Sequence, residues 1–310
     1  MRKIVIGFTI AVLSIVTIGA IQMADNATDI EAKYKDPSTT LVPGYQIHSL
    51  PMPENLTFAG ELVPLTDPDI QERFDNELLS NVYFQSNAIK LIKKSKKYFP
   101  IIEPILKENG IPDDFKYLAV AESALTNAVS PAGAKGFWQL MPATARELGM
   151  EVNDNVDERY DMEKSTIAAT QYLKDSKKNF GTWTLAAAAY NAGNAGVNRE
   201  QNRQEAEEYY DLLLNQETAR YVFRILALKT ILENPESYGF NVDPEHYYTN
   251  VPVKKIKVDY EIDDLVAFAK ANNITYKVLK LHNPWLRETK LNNKSRKTYY
   301  ISIPEEGYYK

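Results

Sequence analysis

The chain reads as a mainly α-helical domain followed by a small β-α-α-β module. Three observations predict this. Ile70, Phe74, Leu78 and Val82 recur at spacing four, the period of one helix face. Between residues 68 and 240 no alternating strand pattern interrupts the helical reading. After residue 251 the pattern changes, and two alternating stretches enclose two short helical ones. At 310 residues the chain can hold one sizeable core plus a smaller module, and its 44% hydrophobic and 25% charged content is ordinary for a globular protein.

Taken in order, the N-terminus comes first. Arg2 and Lys3 precede an apolar run from Ile4 to Ile21. A basic flank on such a run is the pattern of a signal peptide or an N-terminal membrane anchor, assigned to residues 1–24. Ala20, Ala24 and Ala27 offer small residues where cleavage could fall. Residues 25–67 read as a linker, because Pro37, Pro43, Pro51, Pro53 and Pro64 recur and no helical period holds.

Asp67-Pro68 opens the helical domain, assigned to residues 68–240. Lys90 to Lys97 is basic and reads as a solvated helix end. Helix resumes from Ile101 to Glu108 and stops at Asn109-Gly110. Pro112-Asp113-Asp114 starts the next, with proline tolerated in the first turn and the aspartates suited to the positive end of the helix. Further helices are expected at about 142–149, 161–179, 183–192 and 217–233.

The last module, residues 251–310, runs from the strand VPVKKIKVDY (Val251 to Tyr260) through helices at Ile262 to Ala271 and Tyr276 to Leu281 to a second strand, KTYYISI (Lys297 to Ile303). It carries twelve Lys and Arg against seven Asp and Glu, a net +5 on a chain whose total is −5. Either the module is an anchor for a polyanionic surface, or it is a solvated small domain of ordinary charge.

Residue types exclude several chemistries. Cysteine is absent, which removes disulfides, thiolate nucleophiles and cysteine metal sites. His48, His246 and His282 are scattered with no HExxH pair, so no metal site is expected, and no GxSxG elbow supports a serine nucleophile.

One carboxylate stands out. Phe115, Leu118, Ala119 and Glu122 fall at i, i+3, i+4 and i+7 and share one helix face. Three are apolar, so Glu122 continues a stripe facing the core or a cleft. Burial there would raise its pKa, as suits a general acid; the plain alternative is a glutamate at a helix end that snorkels or caps. Downstream, Ser130 to Gly136 forms a glycine-containing loop leading into Phe137, Trp138 and Gln139, whose amide can both donate and accept. Ala186 to Ala189 leads into Tyr190-Asn191-Ala192-Gly193, with Gly193 a suitable helix terminator. Taken singly, each piece also suits a packed loop or helix junction.

Together they resemble a known family. Glu122-Ser123, then GAKGFWQLMPATA (Gly133 to Ala145), then AYNAG (Ala189 to Gly193) resemble the lysozyme-like domain of lytic murein transglycosylases of the membrane-bound D type. The likeness covers roughly residues 95–235, and ETARYV (Glu217 to Val222) matches a fourth element. Phe137 stands where the family often carries leucine or methionine.

The resemblance implies a lysozyme-like helical fold and a peptidoglycan lytic transglycosylase that forms 1,6-anhydromuramyl ends. Glu122 would be the lone general acid and base. Ser123, Gln139, Tyr190, Asn191, Glu217 and Tyr221 would orient it or bind substrate. Asp113 and Asp114 lie at the opposite end of their helix, so no second carboxylate is matched. No cofactor is implied.

The expected partners are peptidoglycan glycan strands, not nucleic acid, with inner- or outer-membrane association through the N-terminus and other wall-remodelling proteins as further partners. The expected location is the periplasm or cell envelope of a bacterium. A hydrolytic muramidase on the same fold and a non-catalytic wall-binding protein are the alternatives. The tail resembles a LysM glycan-binding module through Leu265 and Phe268, Leu281 to Leu286, and Ile301 to Pro304. It departs from that pattern at Tyr260 to Asp264, where a glycine-aspartate turn is usual.

Overall fold

The computed structural model describes residues 47–309; the expected export segment, and the linker up to residue 46, lie outside the described residues. The helical domain opens with α1 (Pro68–Val82). Asp67 caps it, accepting from the N–H groups of Asp69 (2.8 Å) and Ile70 (3.3 Å), and the stripe Ile70, Phe74, Leu78 and Val82 is buried as expected.

Next comes α2 (Gln85–Glu108), a single helix that runs through Pro100 and Pro104 where two pieces with a basic break were expected. Each proline removes one backbone donor. Both rings are exposed and four residues apart, so the freed carbonyls lie on one face open to water. The basic run is a solvated face of this helix.

Residues 56–63 depart from the expected linker. Strands β1 (Thr57–Phe58) and β2 (Glu61–Leu62) form a hairpin with Phe58 opposite Glu61. Its two turn residues, Ala59 (φ 52°) and Gly60 (φ 83°), are both left-handed, as a two-residue hairpin turn requires. Leu56, Phe58 and Val63 are buried in the main core, and Phe58 meets Phe115 edge-on at 5.2 Å. Strands of two residues carry no readable period, so the prolines dominated the sequence pattern.

Helix α3 (Phe115–Ser123) follows. Asp114 stands at its N-cap as expected, and its carboxylate accepts from Ala59 N–H (2.7 Å) and Lys229 Nζ (2.8 Å), tying the hairpin to the core. The chain continues through α4 (Pro142–Glu147), α5 (Met162–Phe180), α6 (Trp183–Ala192), α7 (Asn194–Gln204) and α8 (Gln216–Glu233). Helix α7 was not foreseen. Only its Val197 is buried, so it shows no apolar stripe. Helix α8 is buried nearly all round and packs against α1, α3 and α6 at the centre of the domain. Leu185 to Ala189 of α6 are fully buried; four of the five are alanines, which lets neighbouring helices approach closely.

The module is as expected in order: β3 (Val253–Val258), α9 (Leu265–Ala271), α10 (Tyr276–His282) and β4 (Tyr299–Pro304). β3 and β4 pair antiparallel from Val253↔Pro304 to Val258↔Tyr299. Its core includes Val258, Leu265, Leu279, Trp285, Leu286, Ile301 and Ile303, with Trp285 stacked on Tyr299. Val156 and Tyr160 of the helical domain are buried in this same cluster. Among the described residues, no helix is long and apolar enough to cross a membrane.

Glu61 joins hairpin to helix. Its carboxylate accepts from the N–H groups of Trp183 (2.6 Å) and Thr184 (2.8 Å) at the start of α6, and from the Thr184 hydroxyl (2.7 Å). Burial works to raise its pKa, but these bonds and Lys177 outweigh it and hold the group below its ordinary 4.5. Its stabilising contribution is therefore present above that value and lost as pH falls through the lowered one. Glu61→Ala is expected to cost about 1–2 kcal/mol near neutral pH in denaturant unfolding, with the gap to wild type closing in acid.

Candidate active site

Three helix ends and one loop converge on Glu122. It sits in the last turn of α3, just before two consecutive left-handed residues, Ala124 (φ 52°) and Leu125 (φ 52°). Neither is glycine, so this terminus is strained. Lys94 Nζ on the Ala124 carbonyl (2.8 Å) and full burial of Leu125 hold it in place. The Ser123 hydroxyl serves the same turn: it donates to Ala119 O (3.1 Å) and accepts from Thr126 N–H (3.3 Å). Its hydroxyl is thus engaged with the backbone of the turn that carries Glu122.

The α8 helix supplies Tyr221, whose hydroxyl donates to Glu122 Oε1 in a short hydrogen bond. Burial, and then the nearby Glu122 charge, push the Tyr221 phenol well above its ordinary pKa, so it stays a donor. Tyr190, from the end of α6, is raised the same way by burial and then by Glu122. Its hydroxyl donates to Trp138 O (2.7 Å). Trp138 is fully buried and anchored through its indole N–H on Thr166 (2.8 Å).

Gln139 is built into the loop. Its amide nitrogen donates to Ala128 O (3.0 Å) and Gly136 O (2.8 Å), and its own φ is 45°. It locks the loop. Asn191 accepts from the Thr218 hydroxyl (2.8 Å) and donates weakly to Glu217 (3.4 Å), joining the α6 end to the α8 start. Glu217 is exposed, yet near enough for its charge to act on Glu122.

Glu122 opens on a groove of about 280 Å³, lined also by Asn81, Asn87, Leu91, Ser123 and Arg224. Among the described residues lining it, Glu122 is the one acid. Its pKa is raised from 4.5 to about 7, chiefly by burial. The Tyr221 bond and the Arg224 charge pull the other way, and the Glu217 charge adds to the rise. A larger depression, about 1050 Å³, lies at the far end of α3 between Pro100, Lys107 and Pro112. It holds none of the expected residues, so the smaller groove is the candidate site.

Sequence reasoning missed Arg224, Asn81 and Asn87. Arg224 could have been found, since Glu217, Tyr221 and Arg224 stand at i, i+4 and i+7 on one face of α8. The two asparagines flank the turn between α1 and α2, and only the folded structure brings them to Glu122.

Residues 99–213 match the transglycosylase SLT domain. The chain carries an SLT domain. Residues 254–307 match the soluble lytic transglycosylase C-terminal LysM-like domain. The SLT match includes Glu122, Ser123, Gln139, Tyr190 and Asn191, and ends before Glu217 and Tyr221.

The chain is 30% identical over 218 residues to membrane-bound lytic murein transglycosylase D of Escherichia coli strain K12, covering 67% of this chain and 46% of that protein. The same figures hold for the protein of that name from Escherichia coli O6:H1, strain CFT073. The chain thus spans under half the length of these relatives. The solved 70 kDa soluble lytic transglycosylase of E. coli is 20% identical, with a TM-score of 0.41 over 53% of this chain and 30% of that one. That likeness is too slight to bear on the site.

Keeping the Glu122 carboxyl out of water has a stability consequence. The unfolded chain releases its proton near 4.5, but the folded chain holds it to about 7. Stability contributed by the protonated form is complete below the lower value and is lost as pH rises to the upper one. Glu122→Gln removes that loss. It is expected to raise stability by roughly 1–3 kcal/mol near pH 8 and by little near pH 4, read from urea midpoints at both.

Proposed function

We propose that this protein is a peptidoglycan lytic transglycosylase. It cleaves the β-1,4 bond between N-acetylmuramic acid and N-acetylglucosamine and leaves 1,6-anhydromuramyl ends. The observation that carries the reading is a single carboxylate on the SLT-domain groove, protonated up to about pH 7 and held by a tyrosine that remains a donor.

An enzyme with two carboxylates can divide the work between an acid and a nucleophile or base. Here one group does both. Protonated Glu122 gives its proton to the glycosidic oxygen as the bond to C1 breaks, and the departing sugar leaves with a hydroxyl. The ionised carboxylate then takes the proton of the muramyl C6 hydroxyl while that oxygen bonds to C1, closing the anhydro ring. Glu122 ends protonated, as it began, and no water is consumed.

The internal nucleophile is tethered to the reacting carbon, which gives it a high effective concentration without a site to position water. Tyr221 fixes the carboxyl rotamer and steadies the ionised form midway through. Arg224 faces the same groove and stabilises that charge. Tyr190 and Asn191 hold the surrounding walls, and Ser123 and Gln139 act through the backbone they secure. The proton moves between groups already present, so the reaction as written draws on no cofactor.

We place the protein in the cell envelope, where its substrate lies. The basic flank and apolar run at residues 2–21 serve export, with removal or retention of that segment deciding between a free and a membrane-tethered form. The LysM-like domain adds contact with glycan.

Digestion of purified sacculi followed by mass spectrometry of the released muropeptides tests this directly. Anhydro ends are expected; reducing ends 18 Da heavier, the mass of one water, would make it a muramidase. Glu122→Gln is expected to abolish release, by at least about 10³-fold, while the fold is kept. The pH profile of wild-type kcat/KM should fall on its alkaline side with a midpoint near 7. Full activity well above that midpoint would rule Glu122 out as the acid.

A further inference from the structure

The LysM-like domain does more than sit beside the helical domain. It clamps residues 151–160, the segment that leads into α5. The Asp157 N–H donates to Trp285 O (3.0 Å), and Arg287 N–H donates to Asn155 O (2.9 Å). The Asn155 side chain donates to Lys290 O (2.8 Å) and accepts from Asn292 N–H (2.9 Å). Lys297 and Tyr299 both reach Glu151, at 2.7 and 2.9 Å. Val156 and Tyr160 are buried in the LysM-like core, and the Arg287 guanidinium lies 4.0 Å above the Tyr160 ring.

From this segment Arg159 reaches the other way. It is buried and held by Asp157 through Nε (2.9 Å) and Nη2 (2.8 Å). Its Nη1 donates to Gly133 O (3.0 Å) and Leu140 O (3.1 Å), the two ends of the loop. The fit is close: at Gly136 (φ 82°) a Cβ would stand 1.9 Å from the Arg159 carbonyl oxygen. The loop in turn supplies the Trp138 carbonyl that receives Tyr190, and through Gly136 N–H (3.0 Å) and Gln139 it holds Ala128, which lines the Glu122 groove. Hydrogen bonds and packed backbone therefore run unbroken from Trp285 to the groove.

We propose that the LysM-like domain is a working part of the Glu122 site: by fixing residues 151–160 it sets Arg159, a positioning residue, to hold the 133–140 loop against Tyr190. The proposal rests on the reading of Glu122 as the proton donor. A domain that only tethers the enzyme to the wall matters for an insoluble polymer and not for a short soluble one. A domain that positions the loop matters for both.

The test uses the full chain and a soluble tetrasaccharide of alternating N-acetylglucosamine and N-acetylmuramic acid. Arg159→Lys keeps a charge beside Asp157 but cannot span both carbonyls. Asn155→Ala removes two of the clamping bonds and leaves every loop residue intact. Both are expected to lower kcat about tenfold, the scale of a modest misplacement of a reacting group, with KM changed less than about twofold. Glu163→Gln, which cuts the Lys255–Glu163 pair (2.7 Å) elsewhere on the same domain contact, is expected to leave kcat unchanged.

Amide hydrogen exchange gives a readout independent of turnover. Both variants should speed exchange across 133–140 while α8 stays protected. If Arg159→Lys fails to fold, Asn155→Ala carries both measurements. Wild-type exchange at the loop in Asn155→Ala, or wild-type kcat on the tetrasaccharide with loss only on sacculi, overturns the proposal and leaves the domain a tether. If the wild-type protein itself releases no product, the functional reading fails instead, and the exchange result still decides the positioning role.

Discussion

A carboxyl must be kept from water yet stay in reach of a groove, and most of the helical domain answers to that constraint. The stripe of Phe115, Leu118 and Ala119 that buries one face of α3 leads to Glu122, so packing brings the acid to the boundary between core and groove. Desolvation alone would leave a poorly oriented group. The Tyr221 bond restores one contact while burial still dominates, and the net effect is a pKa near neutrality. A single bond to a neutral phenol suits this better than an ion pair would. A close Arg or Lys would pull the group back toward its ordinary acidity; Arg224 acts on Glu122 by charge without a direct hydrogen bond, and Glu217 opposes it.

The cost of this arrangement is visible in the backbone. Two left-handed non-glycine residues follow Glu122-Ser123, and such residues persist only where their surroundings over-determine them. Here Lys94, Ser123, Thr126 and the buried Leu125 side chain all bear on one turn. The strain ends α3 abruptly and frees the chain to turn toward the loop at 128–140.

How much of this was legible in the sequence depends on range. The stripe of α1 and the spans of α5, α6 and α8 could be read to within a residue or two, because long runs of helix-compatible residues with apolar positions on one or more faces write helix into the sequence. The polar helix α7 and the two-residue strands of the hairpin have no such period. At the site, motif order located Glu122, Tyr190 and Tyr221, and the fold brings these three together. What the sequence could not say is which way a polar side chain would turn. Ser123 and Gln139 carry the right chemistry for substrate, yet backbone groups created by their own tight turns claim their hydroxyl and amide nitrogen. Asn81 and Asn87 reach the groove by tertiary packing alone, whereas Arg224 is announced by the α8 face it shares with Tyr221.

The same reasoning bears on the division into domains. By sequence the chain parts near residue 250, and composition and charge both change there. Physically the boundary is less clean, because Val156 and Tyr160 are buried in the LysM-like core while the adjacent Arg159 is buried against the loop beside Glu122. Opening that contact would expose two apolar residues and leave the Asp157 N–H, beside the buried Asp157–Arg159 pair, without the Trp285 carbonyl it donates to. A buried pair is costly to disturb from one side only. The segment at 151–160 therefore resists adopting one position for the LysM-like domain and another for the loop. On the positioning role proposed for Arg159, the module and the groove would form one cooperative body and move as a unit in preference to swivelling at the joint.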